Sequence, residues 1–258
     1  MNEHADSRPD PDRARLALTC LDLTNLNDDC TPEDIAVLCD RAVTPFGHVA
    51  AICIWPRFVA QAAERLKDVP VRVATVVNFP VGGEDQEAVV AETEAAIADG
   101  ANEIDLVLPY RRVGDDPDLV YALVSGCRKA TGKGLLKAIL ETGELSDDEL
   151  IRSASQIAMD GGADFIKTST GKVPVNATPE AARIMLAVIA EHGADVGFKP
   201  AGGIRTLNDA NIYFDLAAEI VAPDWATPRT FRLGASSLLD NLVAVLQGRD
   251  EAGGGEGY

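Results

Sequence analysis

Residues 164–172 read Asp164-Phe165-Ile166-Lys167-Thr168-Ser169-Thr170-Gly171-Lys172. The run from Asp164 to Thr168 has the length and apolar content of a short strand. Before it, Asp147 to Met159 has helical spacing and stops at Gly161-Gly162; after it, Thr178-Pro179-Glu180 opens a helix that ends near His192-Gly193. Proline suits the first helical turn because its missing N–H has no partner there. A strand that is apolar at nearly every position, set between two helices, fits a parallel strand buried on both faces.

The same alternation extends in both directions. Further strands are predicted at Leu16 to Leu23, His48 to Trp55, Val71 to Phe79, Glu103 to Leu108, Leu135 to Leu140, Val196 to Phe198 and Phe231 to Gly234. Helices are predicted from Thr31 through Val43 and at Phe58 to Leu66, Glu84 to Ala98, Asp118 to Ala130, Asn208 to Val221 and Ser237 to Leu246. Eight β-α units over roughly 235 residues match a single (β/α)8 barrel of the TIM type. The rival, a doubly wound open sheet, is disfavoured because no Gly-x-Gly-x-x-Gly turn follows the first strand. The domain reading is a polar N-terminal extension over 1–15, a barrel catalytic domain over 16–248, and a flexible Gly-rich tail over 249–258.

Composition narrows the function classes. The chain has 258 residues, is 47% apolar and carries a formal net charge of -18, so a sizeable core is affordable and global disorder is disfavoured. That charge argues against nucleic-acid or anionic-membrane partners, and no apolar run approaches the ~20 residues of a membrane span. A cytoplasmic location is expected. The cysteines number five, with no C-x-x-C pair, and read as reduced thiols. The three histidines do not cluster, which leaves a histidine zinc site or a Ser-His-Asp triad little support; no metal and no cofactor are expected.

Three of the seven lysines end strand-like runs: Lys137 after Gly134-Leu135-Leu136, Lys167 after Phe165-Ile166, and Lys199 after Val196-Gly197-Phe198. Burial disfavours an ammonium, and a neutral amine is a Schiff-base nucleophile toward carbonyls. Lys167 reads either as a snorkelling lysine or as that nucleophile. Lys199 on the next strand favours the second reading, because two nearby cations disfavour each other's charge. Asp105, embedded in Glu103-Ile104-Asp105-Leu106, needs a buried partner; it is either a structural ion pair or a proton shuttle working with Lys137 or Lys199. Asp22 invites the same argument or binds a substrate hydroxyl. Barrel active sites lie at the C-terminal strand ends, and there the sequence is expected to gather Asp22, Cys53, Asn78, Asp105, the three lysines, Ser236 and Ser237. Cys53 reads as a small buried hydrophobe that lines the pocket.

Two Gly-rich turns suggest an anion cradle: Pro200-Ala201-Gly202-Gly203-Ile204-Arg205 after the seventh strand and Leu233-Gly234-Ala235-Ser236-Ser237 after the eighth. Loops in these places commonly hold phosphate, with backbone N–H groups at a helix start supplying the field. Thr170-Gly171-Lys172 would close the site from the sixth strand.

These segments together resemble the 2-deoxyribose-5-phosphate aldolases, a class I aldolase family. The resemblance runs from about Leu21 to Leu246 and is carried by Asp22-Leu23-Thr24, Ala51-Ile52-Cys53-Ile54, Glu103-Ile104-Asp105, the residues 164–172, Gly197 through Arg205, and Gly234 through Leu238. It implies Lys167 as the Schiff-base lysine, Lys199 as its perturbing neighbour, Asp105 as proton relay and Lys137 as a lysine associated with it. It places Gly171, Lys172, Gly202, Gly203, Arg205, Gly234, Ser236 and Ser237 at the substrate phosphate. It implies reversible cleavage of 2-deoxy-D-ribose 5-phosphate to acetaldehyde and D-glyceraldehyde 3-phosphate, in deoxynucleoside and carbohydrate catabolism. Some family members end in a tyrosine that assists proton transfer, and Tyr258 is the matching candidate. The expected partners are these small molecules, with a homodimer as the assembly. The alternatives are a class I aldolase with another donor and a non-catalytic sugar-phosphate binding barrel.

Overall fold

The structure, a computed structural model, describes residues 10–193 and 195–249. The helices are α1 (Pro11–Thr19), α2 (Pro32–Arg41), α3 (Val59–Leu66), α4 (Gln86–Ala98), α5 (Pro117–Thr131), α6 (Asp148–Asp160), α7 (Pro179–His192), α8 (Leu207–Ile220) and α9 (Leu238–Leu246). The strands are β1 (Leu21–Asn25), β2 (Val43–Thr44), β3 (Gly47–His48), β4 (Ala51–Ile54), β5 (Arg72–Val77), β6 (Glu103–Val107), β7 (Leu135–Ile139), β8 (Phe165–Lys167), β9 (Gly197–Lys199) and β10 (Leu233–Ala235). Eight of these strands form one parallel sheet in the order β10-β1-β4-β5-β6-β7-β8-β9. Parallel bridges Phe198–Phe231 and Ala201–Gly234 close it between β9 and β10. The predicted barrel is the observed fold.

Local chemistry sets the helix starts. Thr31 and Thr206 each head a capping box, with Asp34 and Asp209 answering the cap from three residues on. Asp85, Asp116, Asp147 and Thr178 cap their helices by accepting from the backbone N–H three residues later. The apolar faces of the helices then cover the outside of the sheet.

The N-terminal expectations need correction. Leu16 to Thr19 is not the start of a strand but the end of α1, because Asp10 caps a helix whose first residue is Pro11. Ala14, Ala17 and Leu18 of that helix are fully buried, so ordered, packed chain begins before the expected boundary at residue 16. The run from His48 to Trp55 also splits. Gly47–His48 pairs antiparallel with Val43–Thr44, and the barrel strand starts only at Ala51. The tail residues 250–258, including Tyr258, lie outside the described residues.

Inward-facing residues follow the period of two along each strand. Glu103 and Asp105 point in from β6, Lys137 and Ile139 from β7, Phe165 and Lys167 from β8. The register sets Asp105 opposite Lys137, Lys137 opposite Phe165, and Lys167 opposite both Ile139 and Lys199. Gly197 makes the lower layer possible: a Cβ there would lie 2.3 Å from the ring of Phe165.

Candidate active site

The barrel interior holds a continuous charged network. Lys167 Nζ donates to Asp105 Oδ2 at 2.8 Å, and Lys199 Nζ donates to the same oxygen at 2.7 Å. Lys199 also donates to Asp22 Oδ2 at 2.5 Å. One layer lower, Lys137 Nζ lies 2.8 Å from Asp105 Oδ1, 2.6 Å from Glu103 Oε2 and 3.3 Å from Asp22 Oδ2. At the base, Arg232 grips Glu103 with both arms of its guanidinium at 2.9 and 3.0 Å and reaches Asp22 Oδ1 at 2.7 Å. All of these side chains are buried.

Charge state follows from this pairing. Burial alone would raise the Asp105 carboxyl, but Lys137, Lys167 and Lys199 overcome it and hold the group well below the usual carboxylate range. Asp22 and Glu103 are lowered in the same way, Asp22 by Lys137, Lys199 and Arg232, and Glu103 by Lys137 and Arg232. Burial pushes Lys137 and Lys199 down, yet their carboxylate partners win and both are raised. Lys199 is therefore no bare cation set against Lys167; it is an ammonium locked between Asp22 and Asp105. Burial and the neighbouring cation, expected to drive one of the pair toward the neutral amine, do not do so at Lys199, where two carboxylates prevail.

The layering also corrects the expected strand-end placement. Asp22, Asp105 and Lys137 sit within their strands, below the mouth. Cys53 lies beneath it too, its Sγ 3.9 Å from Asp105 Oδ2, its thiol raised by burial and by Asp105. Of the three strand lysines only Lys167 reaches the cavity above. Asn78 is used elsewhere: its amide donates to the carbonyls of Gly83 and Val107 and so holds a turn.

That cavity, of about 190 Å³, is lined by Lys167 at its floor and by Thr170, Gly171, Lys172, Gly202, Gly203, Gly234 and Ser236 on one side. The β1 loop, Thr24 to Asn27, forms the other side. Gly202 and Gly203 adopt φ of 86° and 83°, open to glycine and strained for other residues. Lys172 Nζ crosses to the Leu26 carbonyl at 2.9 Å and lies 3.4 Å from Asp28 Oδ1. Two of the expected residues stand apart from the lining. Arg205 is exposed, with its backbone N–H on Asp209, and Ser237 is the N-cap position of α9.

Three site residues were not singled out from sequence. Glu103 and Arg232 complete the base of the network; an acid two residues before Asp105 and a cation between Phe231 and Leu233 were the available signals. Glu141 had none. It is fully buried with φ 54°. Its carboxylate accepts from the Thr170 backbone N–H at 3.1 Å and from the Thr170 hydroxyl at 2.5 Å. Burial raises it above the usual range despite those two bonds. Thr170 Oγ1 in turn accepts from the Lys172 backbone N–H at 3.0 Å, so Glu141 fastens the loop that leads from Lys167 to Lys172.

The comparisons agree with this geometry. A family model described as DeoC/LacD family aldolase matches residues 16–243. A deoxyribose-phosphate aldolase of Agrobacterium fabrum is 60% identical over 248 residues, 95% of this chain and 96% of the relative. A Toxoplasma gondii structure, provisionally named deoxyribose-phosphate aldolase, superposes with a TM-score of 0.85 at 26% identity, covering 93% of this chain and 96% of that one. A tetrameric deoxyribose phosphate aldolase from Aeropyrum pernix gives a TM-score of 0.73 at 25% identity and covers 91% of each chain. With the matched segment spanning the whole barrel and a lysine at the floor of its cavity, the chain belongs to the DeoC/LacD family of aldolases.

Proposed function

We propose that the chain is a class I aldolase cleaving 2-deoxy-D-ribose 5-phosphate reversibly to acetaldehyde and D-glyceraldehyde 3-phosphate, with Lys167 as the Schiff-base residue. The observation that carries this reading is the position of Lys167. It alone of the strand lysines joins the charged network to the cavity, and it does so through a single carboxylate partner. Lys137 and Lys199 are each enclosed by two or more carboxylates and held protonated.

In the cleavage direction the Lys167 amine adds to the C1 aldehyde of the open-chain sugar, and loss of water gives an iminium. The C3 hydroxyl gives up its proton, the C2–C3 bond breaks, and its electron pair flows into the iminium to leave an enamine. Glyceraldehyde 3-phosphate departs, the enamine carbon is protonated, and water hydrolyses the second iminium to release acetaldehyde and regenerate the amine. Asp105, held ionised, accepts a proton through a bridging water and, being a weak base, returns it readily by the same route. The turns at Gly171, Gly202, Gly203, Gly234 and Ser236, with Lys172, are assigned to the phosphate; Arg205 and Ser237 are assigned to its outer edge.

Borohydride reduction in the presence of acetaldehyde, followed by peptide mass spectrometry, tests the reading. A reduced two-carbon adduct on Lys167 supports it, and an unmodified Lys167 overturns it. Dihydroxyacetone as competing donor checks donor choice. We assign the enzyme to the cytoplasm, in deoxynucleoside catabolism; among the described residues no helix is long and apolar enough to cross a membrane. A homodimer is the assigned assembly, with the exposed Val37 and Val43 as candidate contacts, to be measured by light scattering.

A further inference from the structure

The base of the barrel holds an ion pair that touches neither cavity nor solvent. Arg232 binds Glu103 in a two-armed grip and contacts Asp22, and its guanidinium carbon lies 5.5 Å from the centre of the Phe165 ring. Buried salt bridges of this kind are seldom favoured over apolar packing for stability alone. The network as a whole sets four cations, Lys137, Lys167, Lys199 and Arg232, against three carboxylates, Asp22, Glu103 and Asp105. Among these buried side chains the cations outnumber the carboxylates by one, and of the four cations Lys167 is the one that lines the cavity. Lys137 and Lys199 have several carboxylates each; Lys167 has one and faces the cavity.

We propose that Glu103 and Arg232 are positioning residues that set, through the charge balance of the buried network, the pH at which Lys167 becomes a nucleophile. This rests on the Schiff-base reading above. Arg232 adds a positive charge that favours release of the proton, and Glu103 adds a negative charge that opposes it. Between them and Lys167 stand Asp22, Asp105, Lys137 and Lys199. Cys53 flanks Asp105, Glu141 faces Lys167 across the β7 end, Cys20 lies near Arg232, and Arg72, half in solvent, lies 3.6 Å from Glu103 Oε1. Glu103 and Arg232 can each be altered without removing a direct partner of Lys167 or of Asp105.

The test is the pH profile of adduct formation on Lys167 with acetaldehyde and cyanoborohydride, across roughly pH 5 to 10. Arg232→Met should move the half-maximal pH upward and Glu103→Gln downward, each by about one unit, the effect of one charge through a protein interior. The double variant Arg232→Met/Glu103→Met keeps the charge balance while deleting the pair, and its midpoint should return to that of the unaltered chain. A merely structural pair predicts loss of adduct in all three variants with the midpoint unmoved, and that result overturns the proposal. If one single variant does not fold by circular dichroism, the other single variant decides: a midpoint displaced by about one unit in its stated direction supports the proposal, and an unmoved midpoint overturns it. Absence of any adduct in the unaltered chain instead overturns the Schiff-base function itself.

Discussion

Lys167 and Lys199 meet on one atom: both Nζ groups donate to Oδ2 of Asp105, at 2.8 and 2.7 Å. A single carboxylate oxygen thus holds the proposed nucleophile and its neighbour together. Lys199 has a second carboxylate, Asp22, on its other side, whereas Lys167 opens onto the cavity. The same oxygen treats the two lysines alike, and their remaining surroundings make them different.

Replacing Asp105 by asparagine removes that shared charge while keeping the shape. Turnover should fall about a hundredfold to ten-thousandfold, the range of a lost acid-base group. The fold should weaken by about 3 to 5 kcal/mol, because three buried lysine side chains lose a common partner. Steady-state kinetics and urea unfolding measure the two effects separately. Turnover within tenfold of the unaltered enzyme would remove Asp105 from the proton path.

Glu141→Ala should loosen the loop from Lys167 to Lys172. The bonds to Thr170 disappear, and the substrate phosphate side should suffer more than the reacting centre. We expect KM for the sugar phosphate to rise about tenfold, a loss of about 1.4 kcal/mol. Acetaldehyde adduct formation on Lys167 should stay within about twofold on the same scale. Equal losses in both assays would assign Glu141 to the chemistry instead.

At Gly203 a methyl group meets nothing within 4 Å, yet φ is +83°. Gly203→Ala should therefore cost about 1 to 2 kcal/mol from backbone strain alone. If the turn cradles phosphate, KM for the phosphorylated sugar rises while activity toward unphosphorylated deoxyribose is unchanged. Parallel loss for both sugars would place the phosphate elsewhere.

Stability should depend on pH in a definite sense. Asp22, Glu103 and Asp105 are depressed in the fold, so their stabilisation is complete above the unfolded values of about 4 and is lost as pH falls through the folded ones. Glu141 is raised and opposes this, its contribution being lost as pH climbs through its folded value. Three depressed groups outweigh one. On the alkaline side the buried Cys20 thiol is pushed up to about 12, so stability declines above the unfolded thiol value of about 8.5. The raised Lys137 and Lys199 add a further decline above about 10.4. Urea midpoints at fixed ionic strength should plateau between about pH 5 and 8 and fall on both sides. A midpoint that rises as pH drops from 5 to 3 contradicts the pairing.

The barrel was legible because its strands are apolar on consecutive positions and its helices carry capped starts. Boundaries failed where capping competes with strand propensity. Leu16 to Thr19 looks like strand, but the Asp10 cap and Pro11 start a helix whose Ala14, Ala17 and Leu18 find a core to cover. Lys137, Lys167, Lys199 and Asp105 stood out because a charge inside an apolar run needs a partner. Arg232 and Glu103 carried that same signal more faintly, and Glu141, in a polar loop sequence, carried none.

Sequence alone determined which residues are charged where water is scarce, and in what order the strands deliver them, because local propensity and burial pattern are written residue by residue. It could not say which charge meets which. Asp105 lies 62 residues before Lys167 and Asp22 lies 210 before Arg232, and only closure of the barrel brings their side chains onto common atoms. Register then fixes the depth of each side chain, leaving Lys167 at the cavity floor and Lys137 one layer below it. A shift of one residue would turn either lysine out of the interior.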